Sequence, residues 1–160
     1  MPICNLADLP AKLEKNQTIL GIDYGSKHIG LAIADPGLQL ATPLGTIERG
    51  KFAGVLKELQ GYMASRNVGA LVLGLPLALD GKDTPASQSV RTFAVNLEKA
   101  IAPQMAFCDE RFSSAVIQRQ LTEVADLSRA KRAAAVDKLA AAYILQGALD
   151  YWRHHHKGPS

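Results

Sequence analysis

"TILGIDYGSKHIGLAIAD", residues 18–35, is the stretch on which the fold turns. Ile19, Leu20 and Ile22 mark a buried strand over 18–24, and the apolar run from Ile29 to Ala34 marks a second over 28–35. Gly25-Ser26-Lys27 between them is short enough to make the pair a hairpin. Asp23 interrupts the first strand near its end. A carboxylate on a half-buried strand is costly unless it is paired or holds a cation. By period-two alternation Asp23 shares a face with Ile19 and Gly21, away from Leu20, Ile22 and Tyr24. The plain alternative is a turn cap, with the carboxylate accepting N–H bonds from Gly25 or Ser26. Gly21 and Gly25 are expected to clear space around Asp23, with Lys27 and His28 overhanging it.

Outward from the hairpin, residues 1–16 are expected to form an irregular lead-in, with at most a short helical turn. "QLATPLGTIER", 39–49, is a third strand, and Pro43 predicts an edge position or a bulge. Phe52, Val55, Leu56, Leu59 and Met63 recur at helical spacing over 51–66. "VGALVLGLPL", 68–77, is continuously apolar, as in a strand buried on both faces. Asp80-Gly81 signals a turn, and Thr84-Pro85 opens a helix over 85–101 as N-cap and N1. "QMAFCDER", 104–111, is another buried strand. Ser113 or Ser114 caps a helix running to about Val124, and an alanine-rich helix covers 129–152. Three meandering strands followed by α-β-α-β-α-α predict an α/β fold with a five-stranded mixed sheet, antiparallel at one end and parallel at the other.

The chain has 160 residues, 48% hydrophobic and 21% charged, which fits one domain with a real core. We expect a single domain over 1–160, ordered from about 17 to 152, with a flexible tail over 153–160. No apolar run approaches the ~20 residues of a membrane span, and "MPICNLADLPAKLEKN" does not have the pattern of a signal peptide. Cys4 and Cys108 are too few for a disulfide framework or a zinc site, so a reducing cytoplasm is expected. A net charge of +3 and a pI of about 8.9 permit nucleic acid as a partner without demanding it. The three consecutive histidines near the C-terminus, His154 to His156, are given no metal role.

Chemistry in open α/β sheets collects near the carboxyl ends of the strands. Besides Asp23, Asp109 and Glu110 end the strand that starts at Gln104. The plain alternative for these two is a surface pair bridged to Arg111. Asp137 lies within the last helix, with only alanines (Ala133, Ala134, Ala140, Ala141) at ±3 and ±4, so no local ion pair explains it. Its plain alternative is a solvated aspartate on an exposed face. Carboxylates converging from two strand ends and a helix suit Mg²⁺ or Mn²⁺. Two such ions ~3.5–4 Å apart can drive phosphodiester hydrolysis.

"GIDYGSKHIGLAIAD", "LVLGLPLALDG", "DERFSS" and "SRAKRAAAVDKLAAAYILQGALD" together resemble the YqgF (RuvX) family, in the family's order and over most of residues 18–150. The resemblance implies a ribonuclease H-like fold related to Holliday-junction resolvases. It also implies a nuclease that processes the 5′ end of the precursor of 16S ribosomal RNA. The family's first-strand acid falls on Asp23, its "DER" acids on Asp109 and Glu110, and its terminal-helix acid on Asp137. Resolvases of this fold carry an acid on the fourth strand, where this chain has "LGLPL", so Asp109 or Glu110 would substitute from the next strand. Asp23 would bridge the metals, Asp137 would complete one site, and Asp109 or Glu110 the other. Lys27, Arg111, Arg129, Lys131, Arg132 and Lys138 are candidates for phosphate contact. Ser87 and Ser89, at the start of the 85–101 helix, are further candidates, with ordinary capping as the alternative. Three rivals stand beside this reading. One is a junction resolvase acting on branched DNA, and one is a non-catalytic RNA-binding factor of ribosome assembly. The third, an actin- or sugar-kinase-like ATPase, needs a second lobe that 160 residues do not supply.

Overall fold

The computed structural model describes the main chain of residues 3–109 and 129–155 and the side chains of 3–109 and 138–154. The strands are β1 (Ile3–Cys4), β2 (Thr18–Tyr24), β3 (His28–Ala34), β4 (Ala41–Glu48), β5 (Val68–Leu75) and β6 (Gln104–Asp109). The helices are α1 (Phe52–Ser65), α2 (Pro85–Ile101) and α3 (Arg129–His155). The strands form one sheet in the order β1-β6-β5-β2-β3-β4. β3 pairs antiparallel with both β2 and β4, while β2, β5, β6 and β1 pair in parallel. The expected hairpin and mixed sheet are therefore present. β4 is an edge strand whose register slips between Leu31 and Ala32, opposite Pro43 and Gly45. The helix expected from Ser113 or Ser114 to Val124 lies outside the described residues.

The sheet has six strands rather than five, because the N-terminal lead-in contributes β1. Two residues pairing with Met105 and Ala106 are too short to show in a hydropathy pattern. Tertiary contacts hold the segment in place. Leu9 is fully buried, and Trp152 on α3 donates its indole N–H to the Leu6 carbonyl at 2.6 Å. The last helix continues past 152 to His155.

The two faces of the sheet differ in side-chain size, and this decides which helices cover them. Leu20, Ile22, Leu31, Leu71, Leu73 and Met105 point to one face and bury Val55 and Leu59 of α1 and Val90, Phe93 and Leu97 of α2. The other face presents Ala32, Ala34, Ala70, Val72 and Ala106, with Gly21 between them, and receives α3. Small residues on both partners let that helix lie close. A Cβ added at Gly21 would stand 2.7 Å from Leu145 Cβ and 3.1 Å from the Ala141 carbonyl oxygen. Gly21 therefore does not clear space for a ligand, as its position beside Asp23 had implied; α3 occupies that space. Gly25 serves the turn: its N–H donates to the Asp23 and His28 main-chain oxygens, and a Cβ there would meet the His28 carbonyl oxygen at 2.6 Å.

Gln146 fixes α3 along the sheet. Its buried amide accepts from the Ala41 N–H at 2.9 Å and donates to the Gln39 carbonyl at 3.1 Å and to Asp150 at 3.0 Å. Gln146→Leu keeps the volume but strands the buried Ala41 N–H and removes one of the two donors to the Gln39 carbonyl, leaving Arg153. A cost of about 3 kcal/mol is expected. Thermal unfolding should show a midpoint lower by roughly 6–12 °C for a chain of this size. An unchanged midpoint would mean that the amide has no anchoring role.

Candidate active site

All parallel strands deliver their carboxyl ends to one edge of the sheet. Asp23 is the last residue but one of β2, Leu75 ends β5 and Asp109 ends β6. Asp23 is half-buried and pairs with Gly30 on β3. On its other side the ladder Ile22–Leu73 brings Gly74 of β5 to the next rung. Asp23 thus lies between two glycines in its own row, so no sheet Cβ crowds it from either neighbouring strand. His28 stands one row further out on β3, in the alternation of Gly30 and Ala32, and Lys27 lies exposed in the turn.

The packing of α3 sets what approaches Asp23. Gly21 abuts Ala141 and Leu145, while Ala41, which pairs with Ala34 at the other end of β3, bonds Gln146. Moving toward the α3 N-terminus therefore moves toward the carboxyl end of β2. From Gly21 to Asp23 is two strand residues, ~6.6 Å. From Ala141 to position 137 is four helical residues, ~6 Å along the same helix face. Because Gly21 faces the turn from Ala141 to Leu145, the main-chain register brings the preceding turn, 137–141, level with Asp23. Lys138 is the next residue and is half-buried. Positions 129, 131 and 132 form the opening of α3, about 7–12 Å further along its axis, past the sheet edge. The side chains of Arg129, Lys131, Arg132 and Asp137 lie outside the described ones, as do Glu110 and Arg111 entirely.

Asp109 reaches the same edge in the other alternation. It is level with Leu75 and in the row of Met105 and Phe107, which belongs to the α2 face, whereas Cys108 faces α3 with its Sγ 3.7 Å from the Ile144 carbonyl. Asp23 and Asp109 are thus brought to one edge but assigned to opposite faces. Among the described residues no three histidines, cysteines or carboxylates gather as a metal cluster. The donor chemistry at Asp23 nonetheless fits a hard cation. It offers a carboxylate oxygen flanked by glycines, with no described thiol or imidazole cluster to favour zinc.

The loop between β5 and α2 is tied down by a polar cluster. Thr84 caps α2 in a reciprocal capping box with Ser87 and donates its hydroxyl to the Pro76 carbonyl at 2.7 Å. Ser87 is fully buried and donates to Asp83 at 2.8 Å, and Arg91 also bonds Asp83 at 3.0 Å. The Ser87 hydroxyl is therefore committed to capping and is not open to a phosphate, so of the two serines only Ser89 remains exposed. The hydrogen bond from Ser87, then the contact with Arg91, hold the Asp83 carboxyl below its ordinary value of 3.8. A lowered folded-state pKa contributes stability that is present above the ordinary value and lost as pH falls through the lowered one. A carbon-detected titration of Asp83 should show a midpoint below 3.8. A midpoint at or above that value would mean that the cap does not form in solution.

A mixed six-stranded sheet with one antiparallel strand and helices on both faces has the architecture of the ribonuclease H-like fold. Two solved structures share the fold. One is Thermus thermophilus RuvC in complex with a Holliday junction substrate, with a TM-score of 0.52 and 15% identity over 86% of this chain and 96% of that one. The other is the yeast mitochondrial Holliday junction resolvase, with a TM-score of 0.51 and 12% identity over 95% and 87%. Within that class, residues 17–151 match the family model described as "RuvX: Holliday junction resolvase", and the chain belongs to this family. Similar relatives include proteins named "Putative pre-16S rRNA nuclease". The one from Paramagnetospirillum magneticum is 49% identical over 94% of this chain and 96% of its own length. The one from Gluconacetobacter diazotrophicus is 45% identical over 94% and 97%.

Proposed function

We propose that this chain is a divalent-metal-dependent nuclease that hydrolyses a phosphodiester bond at the 5′ end of precursor 16S ribosomal RNA in the cytoplasm. The names of its relatives support the reaction and the substrate. The observation that supports the reading is the register that brings the α3 turn beginning at position 137 alongside Asp23, near a strand end whose row holds glycine on either side. An aspartate in the middle of an alanine-rich helix has a reason there that it lacks in isolation.

Asp23 and Asp137 would hold Mg²⁺ or Mn²⁺, with Glu110 or Asp109 as a further ligand. The cation, when bound, would offset the negative charge that builds on the phosphate. The chain's own groups would bind and orient the strand. Lys27 lies beside the Asp23 end, and Lys138 follows position 137. Arg111, Arg129, Lys131 and Arg132 would add phosphate contacts that fix the RNA without reading its sequence.

The test is cleavage of a precursor 16S transcript and of a four-way DNA junction, each with Mg²⁺, with Mn²⁺ and with a chelator. Metal-dependent trimming of the transcript, lost in Asp23→Asn and in Asp137→Asn, is expected. Equal cleavage by all three proteins would sink the site. Cleavage of the junction alone would transfer the activity to branched DNA, the kind of substrate bound in the RuvC complex. RNA binding without cleavage by any of them would leave a non-catalytic assembly factor.

A further inference from the structure

We propose that the cavity between the N-terminal halves of α1 and α2 receives an unpaired base of the RNA strand whose backbone crosses the Asp23 edge of the sheet. The inference rests on the nuclease reading above and adds a base-binding subsite to it. The cavity holds about 410 Å³, within the range of small-molecule sites. It lies on the sheet face opposite α3.

Its lining is unusual for a groove between two helices on one sheet. Such a groove ordinarily closes with apolar side chains. Here Gln88, Thr92 and Asn96, at i, i+4 and i+8, put a stripe of uncharged amides and a hydroxyl along α2, with Ser89 beside them. They offer both donors and acceptors, which the edge of a nucleobase requires. The stripe does not show as an obvious site in the sequence, because the same residues suit a solvated helix face equally well.

The upper wall is an aromatic platform. The Arg49 guanidinium lies 4.1 Å over the Tyr24 ring, and Tyr24 stacks on Phe93 at 4.3 Å with an 18° interplanar angle. Phe52 meets Phe93 edge-on at 6.1 Å. Arg49 is held in place by a 3.0 Å bond to the Gly25 carbonyl and is the only charged residue in the lining among the described residues. Unpaired bases are taken up by aromatic rings and guanidinium planes of this kind.

The position links this cavity to the catalytic edge. Tyr24 directly follows Asp23, and alternation sends the two to opposite faces of the sheet. A strand passing over the edge would have its phosphate at Asp23 and could turn a neighbouring base down onto the Arg49 guanidinium that lies over Tyr24.

The experiment uses a short fluorescein-labelled single-stranded RNA spanning the cleavage site, with one abasic residue walked along it. Binding is measured by anisotropy in chelator, and cleavage with Mn²⁺. Wild type should lose about tenfold in affinity at one abasic position and little elsewhere. Thr92→Trp, which fills the cavity from an exposed helix position, should bind intact RNA about as weakly and give a flat abasic profile. Asn96→Ala should flatten it in part, with both variants unfolding near the wild-type temperature. A flat profile in wild type, or an unchanged one in Thr92→Trp, would overturn the subsite while cleavage leaves the nuclease reading standing. Failure of wild type to bind or cut any RNA would overturn both.

Discussion

Asp23→Asn is expected to lower Mn²⁺-dependent RNA cleavage about a thousandfold, the scale of losing several kcal/mol of charge stabilisation at a reacting phosphate. Asparagine keeps the shape and one oxygen but removes the charge. The row around it holds glycine on both neighbouring strands, so nothing in the sheet has to move to accept the amide. The variant should therefore unfold within a few degrees of wild type while its single-turnover rate collapses. A rate within a factor of three of wild type would remove Asp23 from the chemistry and leave its place in β2 without explanation. A parallel loss of stability would assign it a structural role.

Gly21→Ala should lower stability sharply. The new Cβ would come 2.7 Å from Leu145 Cβ and 3.1 Å from a main-chain oxygen of α3. Neither atom is the far end of a flexible side chain. The helix must move outward, against the Gln146 and Trp152 anchors that fix it. A loss of about 3 kcal/mol is expected, at the upper end for overpacking, or roughly 6–12 °C in midpoint. The same displacement would carry position 137 away from Asp23, so activity should fall by more than the unfolded fraction accounts for. Cleavage per folded molecule at the wild-type level would show that the two positions need no fixed spacing.

Much of this was already present in the order of residues. The hairpin follows from two apolar runs around Gly25-Ser26-Lys27, and the α2 start follows from Thr84-Pro85, whose capping box is formed. Pro43 marked the edge strand and its slip. The lead-in strand β1 was not legible, because two residues carry no periodicity and their order comes from β6 and Trp152. Ser87 offered a hydroxyl at a helix start, and only its complete burial showed that capping consumes it.

The acids themselves could be picked out one at a time, since a carboxylate in an apolar strand or an alanine-rich helix is anomalous locally. Their relation could not. That Gly21 admits a helix rather than a ligand, and that Asp109 runs in the other alternation from Asp23, depend on cross-strand register and on the depth at which α3 sits. Local sequence determined which residues are out of place among their neighbours, because the cost of a charge or a glycine is set by the element that contains it. Only the tertiary structure decided which of them stand level with one another, because a one-residue slip in pairing reverses the face and four residues along a helix move a side chain by a full turn.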